Sequence, residues 1–164
     1  MFSKGEKIVY GSTGVCVIED ICEKELIRNQ KKLYYILKPL FQQNNTIYAP
    51  YNDGKVFMRP VLTKAQADEL IAKIPEIKEK GSLNLSAEDY RNEFTSHKAV
   101  DLVKLTSLIY EKKKAAEENK KKLGFVDEKY MHLAEDLLFG ELSVALDIPR
   151  DSVKDYIKEK ISKW

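Results

Sequence analysis

Histidine, cysteine and glycine are scarce in this 164-residue chain, which carries two His, two Cys and seven Gly beside a single Trp. Neither His97 nor His132 lies near a cysteine in sequence, so no zinc-ligand spacing exists and no structural metal is expected. Cys16 and Cys22 stand an even number of positions apart on an extended segment, which puts both on one strand face as a reduced, half-buried pair. The glycines form neither GxGxxG nor GxxxxGK[ST], and no Ser/His/Asp or Cys/His pattern has local motif support. Nothing argues for an enzyme, and no cofactor is implied. No apolar run approaches the ~20 residues of a membrane span, and the opening MFSKGEKIVY lacks the ~7–15-residue apolar stretch of a secretory signal. A cytoplasmic chain without membrane contact is the expectation. Strong charge of one sign is also missing, since 28 basic and 26 acidic side chains leave +2. Any nucleic-acid contact must therefore come from a local patch.

What is present divides near residue 62. KIVY, GVCVIEDI, KLYYILK, TIYAP and KVFMRPV are short segments rich in Val, Ile and Tyr, separated by Gly11-Ser12-Thr13-Gly14, Asn44-Asn45 and Asn52-Asp53-Gly54. Five strands in so short a span predict a small twisted barrel of the SH3 or Tudor kind over residues 1–62, with a local charge of about +3. At Thr63 the period changes. Thr63 and Gln66 have capping-box spacing, and Ala67, Leu70, Ile71 and Ile74 recur at helical intervals up to Pro75. The fold class is therefore α+β, a β-barrel followed by an all-α domain over residues 63–164.

In that second half, the segment from Lys78 to Leu85 reads as a loop, and Ser86 caps a helix through Tyr90 and Phe94. A longer helix carries Leu102, Leu105, Leu108 and Ile109 and runs through EKKKAAEENKKK to Leu123, with Gly124 as its stop. Asp127 is positioned to cap a helix bearing Met131, Ala134, Leu137, Leu138 and Leu142. After Pro149, Val153, Tyr156, Ile157, Ile161 and Trp164 share one helical face. No internal repeat is visible, which removes solenoids and propellers.

Two kinds of site suit this composition. The lysine triplets of EKKKAAEENKKK form either a solvated face or a patch that neutralises a DNA backbone without reading bases. Lys154, Lys158 and Lys160 alternate with Asp155 and Glu159 and read as solvated. An open barrel also has edge strands, which can pair with a strand of another protein. KLYYILK and TIYAP are the candidates, with Tyr34, Tyr35 and Tyr48 divided between core and surface.

Taken together, GEKIVYGSTGVCVIEDI, YYILKP followed by TIYAP and MRPV, YRNEF, and EKYMHLAEDLLFGEL resemble the CarD/CdnL-like family of bacterial transcription regulators over nearly the whole chain. The resemblance implies a Tudor-like domain that pairs strand to strand with the β subunit of RNA polymerase. It further implies a helical domain that touches promoter DNA at the upstream fork and lengthens the life of the open complex. Lys24 falls at a basic polymerase-contacting position, and Tyr48 where members often carry a second basic residue. Arg91 and Lys129 match positions that contact DNA phosphates, with Lys112 and Lys113 as further cations, while Leu138 to Leu142 match a packed, structural helix segment.

The chain departs from the family pattern at one place. Members commonly carry a wedge tryptophan four residues before the tyrosine of YRNEF, where this chain has Ser86, and basic residues where it has Glu88 and Asp89. Leu85 or Leu83 could supply an apolar wedge instead. Acidic groups near phosphate weaken binding, so an alternative role is a protein-protein adaptor on the polymerase without DNA contact. The chain is expected to act as a monomer, its DNA contacts made effective by tethering. The isolated protein should bind duplex DNA with Kd no tighter than about 1 μM and with little sequence preference, as read by fluorescence anisotropy in moderate salt. Nanomolar, sequence-specific binding would refute this reading.

Overall fold

The computed structural model describes residues 1–42, 44–79 and 86–162, in two units, Met1–Val61 and Leu62–Trp164. Leu83, Leu85 and Trp164 lie outside the described residues.

The first unit is an antiparallel sheet of β1 (Lys7–Tyr10), β2 (Gly14–Ile27), β3 (Gln30–Pro39), β4 (Ile47–Pro50) and β5 (Met58–Pro60), in the order β4-β3-β2-β1-β5. Among the described residues no ladder joins β4 to β5, so the expected barrel is realised as a sheet with two open edges. At the β1–β2 turn, Gly11 has φ +46°, and a Cβ there would meet Val56 Cγ1 at 2.9 Å. Its N–H donates to the Phe57 carbonyl at 2.8 Å, so glycine lets the turn approach the segment that leads into β5. β5 is shorter than its apolar sequence suggests and ends on Pro60, which has no N–H to give a ladder.

One bulge decides which side chains are inside. Ile18 pairs with Leu37 but Asp20 pairs with Ile36, so Glu19 is the extra residue and the alternation of β2 reverses there. Before it, Cys16 and Ile18 face the core with Ile8, Tyr35, Leu37 and Ala49; after it, Ile21 takes over opposite Tyr35. Cys22 pairs with Tyr34 and so lies on the opposite face from Cys16, which corrects the expected same-face pair. Both are free thiols, and burial pushes Cys16 up to about 11, so it stays protonated near neutrality. β2 and β3 also run beyond the predicted strands into a two-stranded arm, closed at Arg28-Asn29 with Asn29 at φ 61° and its N–H bonded to Glu25 Oε1 at 2.8 Å.

The second unit contains α1 (Lys64–Ala72), α2 (Ile74–Glu79), α3 (Ala87–Thr95), α4 (Ala99–Glu118), α5 (Phe125–Leu146) and α6 (Val153–Lys160). The Thr63–Gln66 capping box forms in both directions. Pro75 sits in the first turn of α2, where its missing N–H costs no helical bond, so the chain resumes helix instead of looping from Lys78. His97 has φ 60° in the turn between α3 and α4. The long helix stops at Glu118, with Lys120 in the left-handed region, five residues earlier than the sequence pattern suggests. Gly124 is the N-cap of α5 and Asp127 lies inside its first turn, which corrects their expected roles as stop and cap.

Leu102, Leu105, Leu108 and Ile109 of α4 meet Met131, Ala134, Leu138 and Leu142 of α5, and Ile71, Ile74, Val153 and Ile157 complete the core. Leu138 to Leu142 are all buried, Glu141 among them at 2% exposure. Its Oε2 accepts the Leu62 N–H at 3.1 Å and so fixes where the chain enters the unit. Glu141→Ala strands a polar group and opens a cavity, and should lower the unfolding free energy by about 3 kcal/mol in urea melts. A loss below about 0.5 kcal/mol, the size of an ordinary surface substitution, would show that this anchor is dispensable.

Candidate functional site

In the sheet unit the relevant positions share one face. Tyr48 pairs with Ile36, Ile36 with Asp20, and Lys24 with Lys32, all on the side opposite the core of Tyr35 and Leu37. Tyr48 is 44% exposed on the end strand β4, while Tyr34 and Tyr35 are buried on opposite faces. Lys24 lies four residues farther along β2 than Asp20, about 13 Å away at the rise of an extended chain. Two ammonium groups directly opposite each other repel, and neither Lys24 nor Lys32 has a carboxylate partner among the described residues. The arm that carries them also exposes Leu26 and Ile27. It therefore offers uncompensated positive charge beside apolar surface.

In the helical unit, Ser86 is the N-cap of α3. Its hydroxyl accepts from the Asp89 N–H at 3.2 Å, and the Asp89 carboxylate accepts the Ser86 N–H at 2.8 Å. These bonds, the Ser86 backbone N–H first, hold the Asp89 carboxyl below its ordinary value. The position of the missing tryptophan is thus spent on helix initiation, and Leu85 beside it lies outside the described residues.

Tyr90, 1% exposed, donates its hydroxyl to the Asp127 carboxylate, and Lys112 Nζ donates to the same phenol oxygen at 2.5 Å. Lys112 also lies 3.4 Å from Asp127 and 4.9 Å from the centre of the Tyr90 ring. Burial first, then the Asp127 bond, raises the Tyr90 pKa and keeps the phenol protonated. Lys112 therefore ties α3, α4 and α5 together, and its charge is largely answered inside the protein.

Arg91 and Lys129 are exposed on α3 and α5, each next to one ring of the Tyr90–Tyr130 pair, whose centroids are 5.7 Å apart. Lys129 Nζ lies 5.9 Å from the centre of the Tyr130 ring. One turn before Lys129, Phe125 is 82% exposed at the start of the 22-residue helix α5, followed by Val126 at 43%. Sequence reasoning passed over Phe125; the available signal was an aromatic residue directly after a glycine at a helix start. Lys113 points elsewhere, into a cleft shared with α2 and α6. Exposed His132 faces Glu128 one turn away at 3.9 Å, a surface contact.

Against known proteins, the sheet unit has a clear counterpart. Residues 2–62 match the CarD-like/TRCF RID domain. The match is consistent with the CarD-like family that the sequence resembles, and this RID domain is non-catalytic. It ends where the helical unit begins. No curated protein matches the chain. Among the described residues no group of His, Cys, Asp and Glu is arranged to hold a metal, and no helix is long and apolar enough to cross a membrane.

The capping box gives a pH-dependent test. A carboxyl whose folded pKa lies below its unfolded value, ordinarily 3.8 for aspartate, stabilises the fold above that value and loses the contribution as pH falls through the folded pKa. Wild type should therefore be more stable than Asp89→Ala at neutral pH, with the gap closing in acid, as read by urea unfolding across the acid range. A gap of constant size down to the lowest pH would rule out the ionised cap.

Proposed function

We propose that this protein is a transcription regulator that docks on the β subunit of RNA polymerase through its sheet unit. Once docked, it touches promoter DNA at the upstream edge of the bubble through its helical unit and prolongs the open complex. The coincidence of the RID-domain match with the β-sheet unit carries the reading, since this unit holds the open edge and exposed arm that strand pairing needs. The free side of β4 accepts an incoming antiparallel strand, Tyr48 gives that strand an aromatic contact, and Lys24 with Lys32 favours an acidic neighbour on the polymerase.

For the helical unit, exposed Arg91 and Lys129 neutralise phosphates, and Phe125 adds an apolar tip of the kind that stacks against an opened base step. Two cations give little free affinity. Tethering raises the local DNA concentration, and only a difference in affinity between melted and closed promoter shifts the equilibrium. One observation favours the second reading, an adaptor without DNA contact: Ser86, Asp89 and Lys112 are committed to internal bonds, which leaves the patch few free charges.

A pull-down of the purified polymerase β lobe tests the first step, with wild type retaining it and Lys24→Glu retaining about tenfold less. In the assembled promoter complex, Arg91→Glu combined with Lys129→Glu should shorten the open-complex lifetime. No capture at high micromolar concentration refutes docking; capture with an unaltered lifetime in the double variant selects the adaptor.

A further inference from the structure

The lysines of α4 do not act as one stripe. Lys112 and Lys114 are separated by about 160° around the helix, so while Lys112 turns to α3, Lys114 turns to the opposite side with Lys113. There they line a cleft of about 740 Å³ between α2, α4, α5 and α6, together with Lys78, Lys154 and Lys158. Lysines up to 80 residues apart in sequence thus surround one concavity in the helical unit, and the alternation with acids that made the α6 lysines read as solvated is undone by the fold.

The carboxylates in the cleft are fewer and mostly engaged. Glu111 lies 3.3 Å from Lys78 Nζ, and Glu135 accepts the Tyr110 hydroxyl. Glu117 also lines the wall. Lys113, Lys114 and Lys158 have no carboxylate within ion-pair distance among the described residues, and Lys154 Nζ lies 5.0 Å from the centre of the Tyr110 ring. Five ammonium groups against three carboxylates leave the lining at +2, with most of the unanswered charge on α4 and α6.

We infer that this cleft binds a small oligophosphate, a pyrophosphate or triphosphate group, free or carried by a nucleotide. Ammonium groups on flexible stems act as adjustable point charges, which suits a chain of phosphates better than a single planar carboxylate. The volume lies within the ~300–1,000 Å³ of small-molecule sites. Tyr110, Met131 and Pro75 add an apolar wall against which a nucleoside can rest. The site is on the far side of α4 from the Tyr90 cluster and does not depend on DNA contact by Arg91 and Lys129.

Calorimetric titration of the full chain with sodium tripolyphosphate, then with a nucleoside triphosphate, tests the assignment. Saturable one-to-one binding is expected, weakened about tenfold or more in Lys114→Glu/Lys158→Glu and less than about twofold in the charge-matched control Lys4→Glu/Lys7→Glu. The weaker change Lys114→Ala/Lys158→Ala serves if circular dichroism shows that the glutamate pair does not fold. Tighter binding of the nucleoside triphosphate than of tripolyphosphate identifies a nucleotide as the source, and equal binding the free anion. The inference is overturned by no saturable heat up to about 1 mM, the upper end of useful small-ligand affinity. Equal losses in the variant and the control overturn it too, as does displacement of tripolyphosphate by an unphosphorylated single-stranded oligonucleotide at matched phosphate, which would make the cleft a nucleic-acid backbone site.

Discussion

The packing of α4 against α5 is the constraint from which the helical unit follows. Their facing apolar stripes are buried from Leu102 to Ile109 and from Met131 to Leu146, and every other helix rests on one or both of them. A pair packed this way has two remaining sides. One takes α3 and is closed by the chain from Lys112 through the Tyr90 phenol to Asp127; the other takes α1, α2 and α6. Each buried Leu or Ile in that seam is worth about 2 kcal/mol by area removed from water, so the helices cannot turn to present other faces to solvent. What the surface offers a partner is set by that seam.

The consequence for charge is that adjacent lysines acquire different work. Lys112 is answered by a phenol and a carboxylate and holds three helices together, whereas Lys113 and Lys114 are left facing Lys154 and Lys158. In the sheet unit the same principle acts through the bulge at Glu19, which turns Ile21 inward and leaves Cys22 and Lys24 on the other face, the face that Tyr48 shares through its pairing with Ile36. A one-residue offset in a ladder moves every later side chain across the sheet.

Much of this was legible. The five strands, the switch to helix at Thr63 with its capping box, Ser86 as a cap and the buried Leu138–Leu142 segment all rest on local signals, because a cap or an apolar period is written within a few consecutive residues. The illegible parts depend on groups far apart in sequence. Asp127 has the chemistry of a cap, yet the Tyr90 hydroxyl 37 residues away takes it. The β2–β3 arm is built from charged residues without a strand pattern and exists because each strand supplies the other's backbone partners. Phe125 is conspicuous only once its 82% exposure is known.

The sequence by itself determined the two-part plan, the element types and the family resemblance, since periodicity, caps and turn residues act over the span of one element. Only the tertiary structure decided which lysines are spent inside and which gather in the cleft, and which face of the sheet Lys24 and Tyr48 occupy. Those outcomes turn on helix rotation and strand register, which are fixed by burial between distant segments and leave no local trace in the chain.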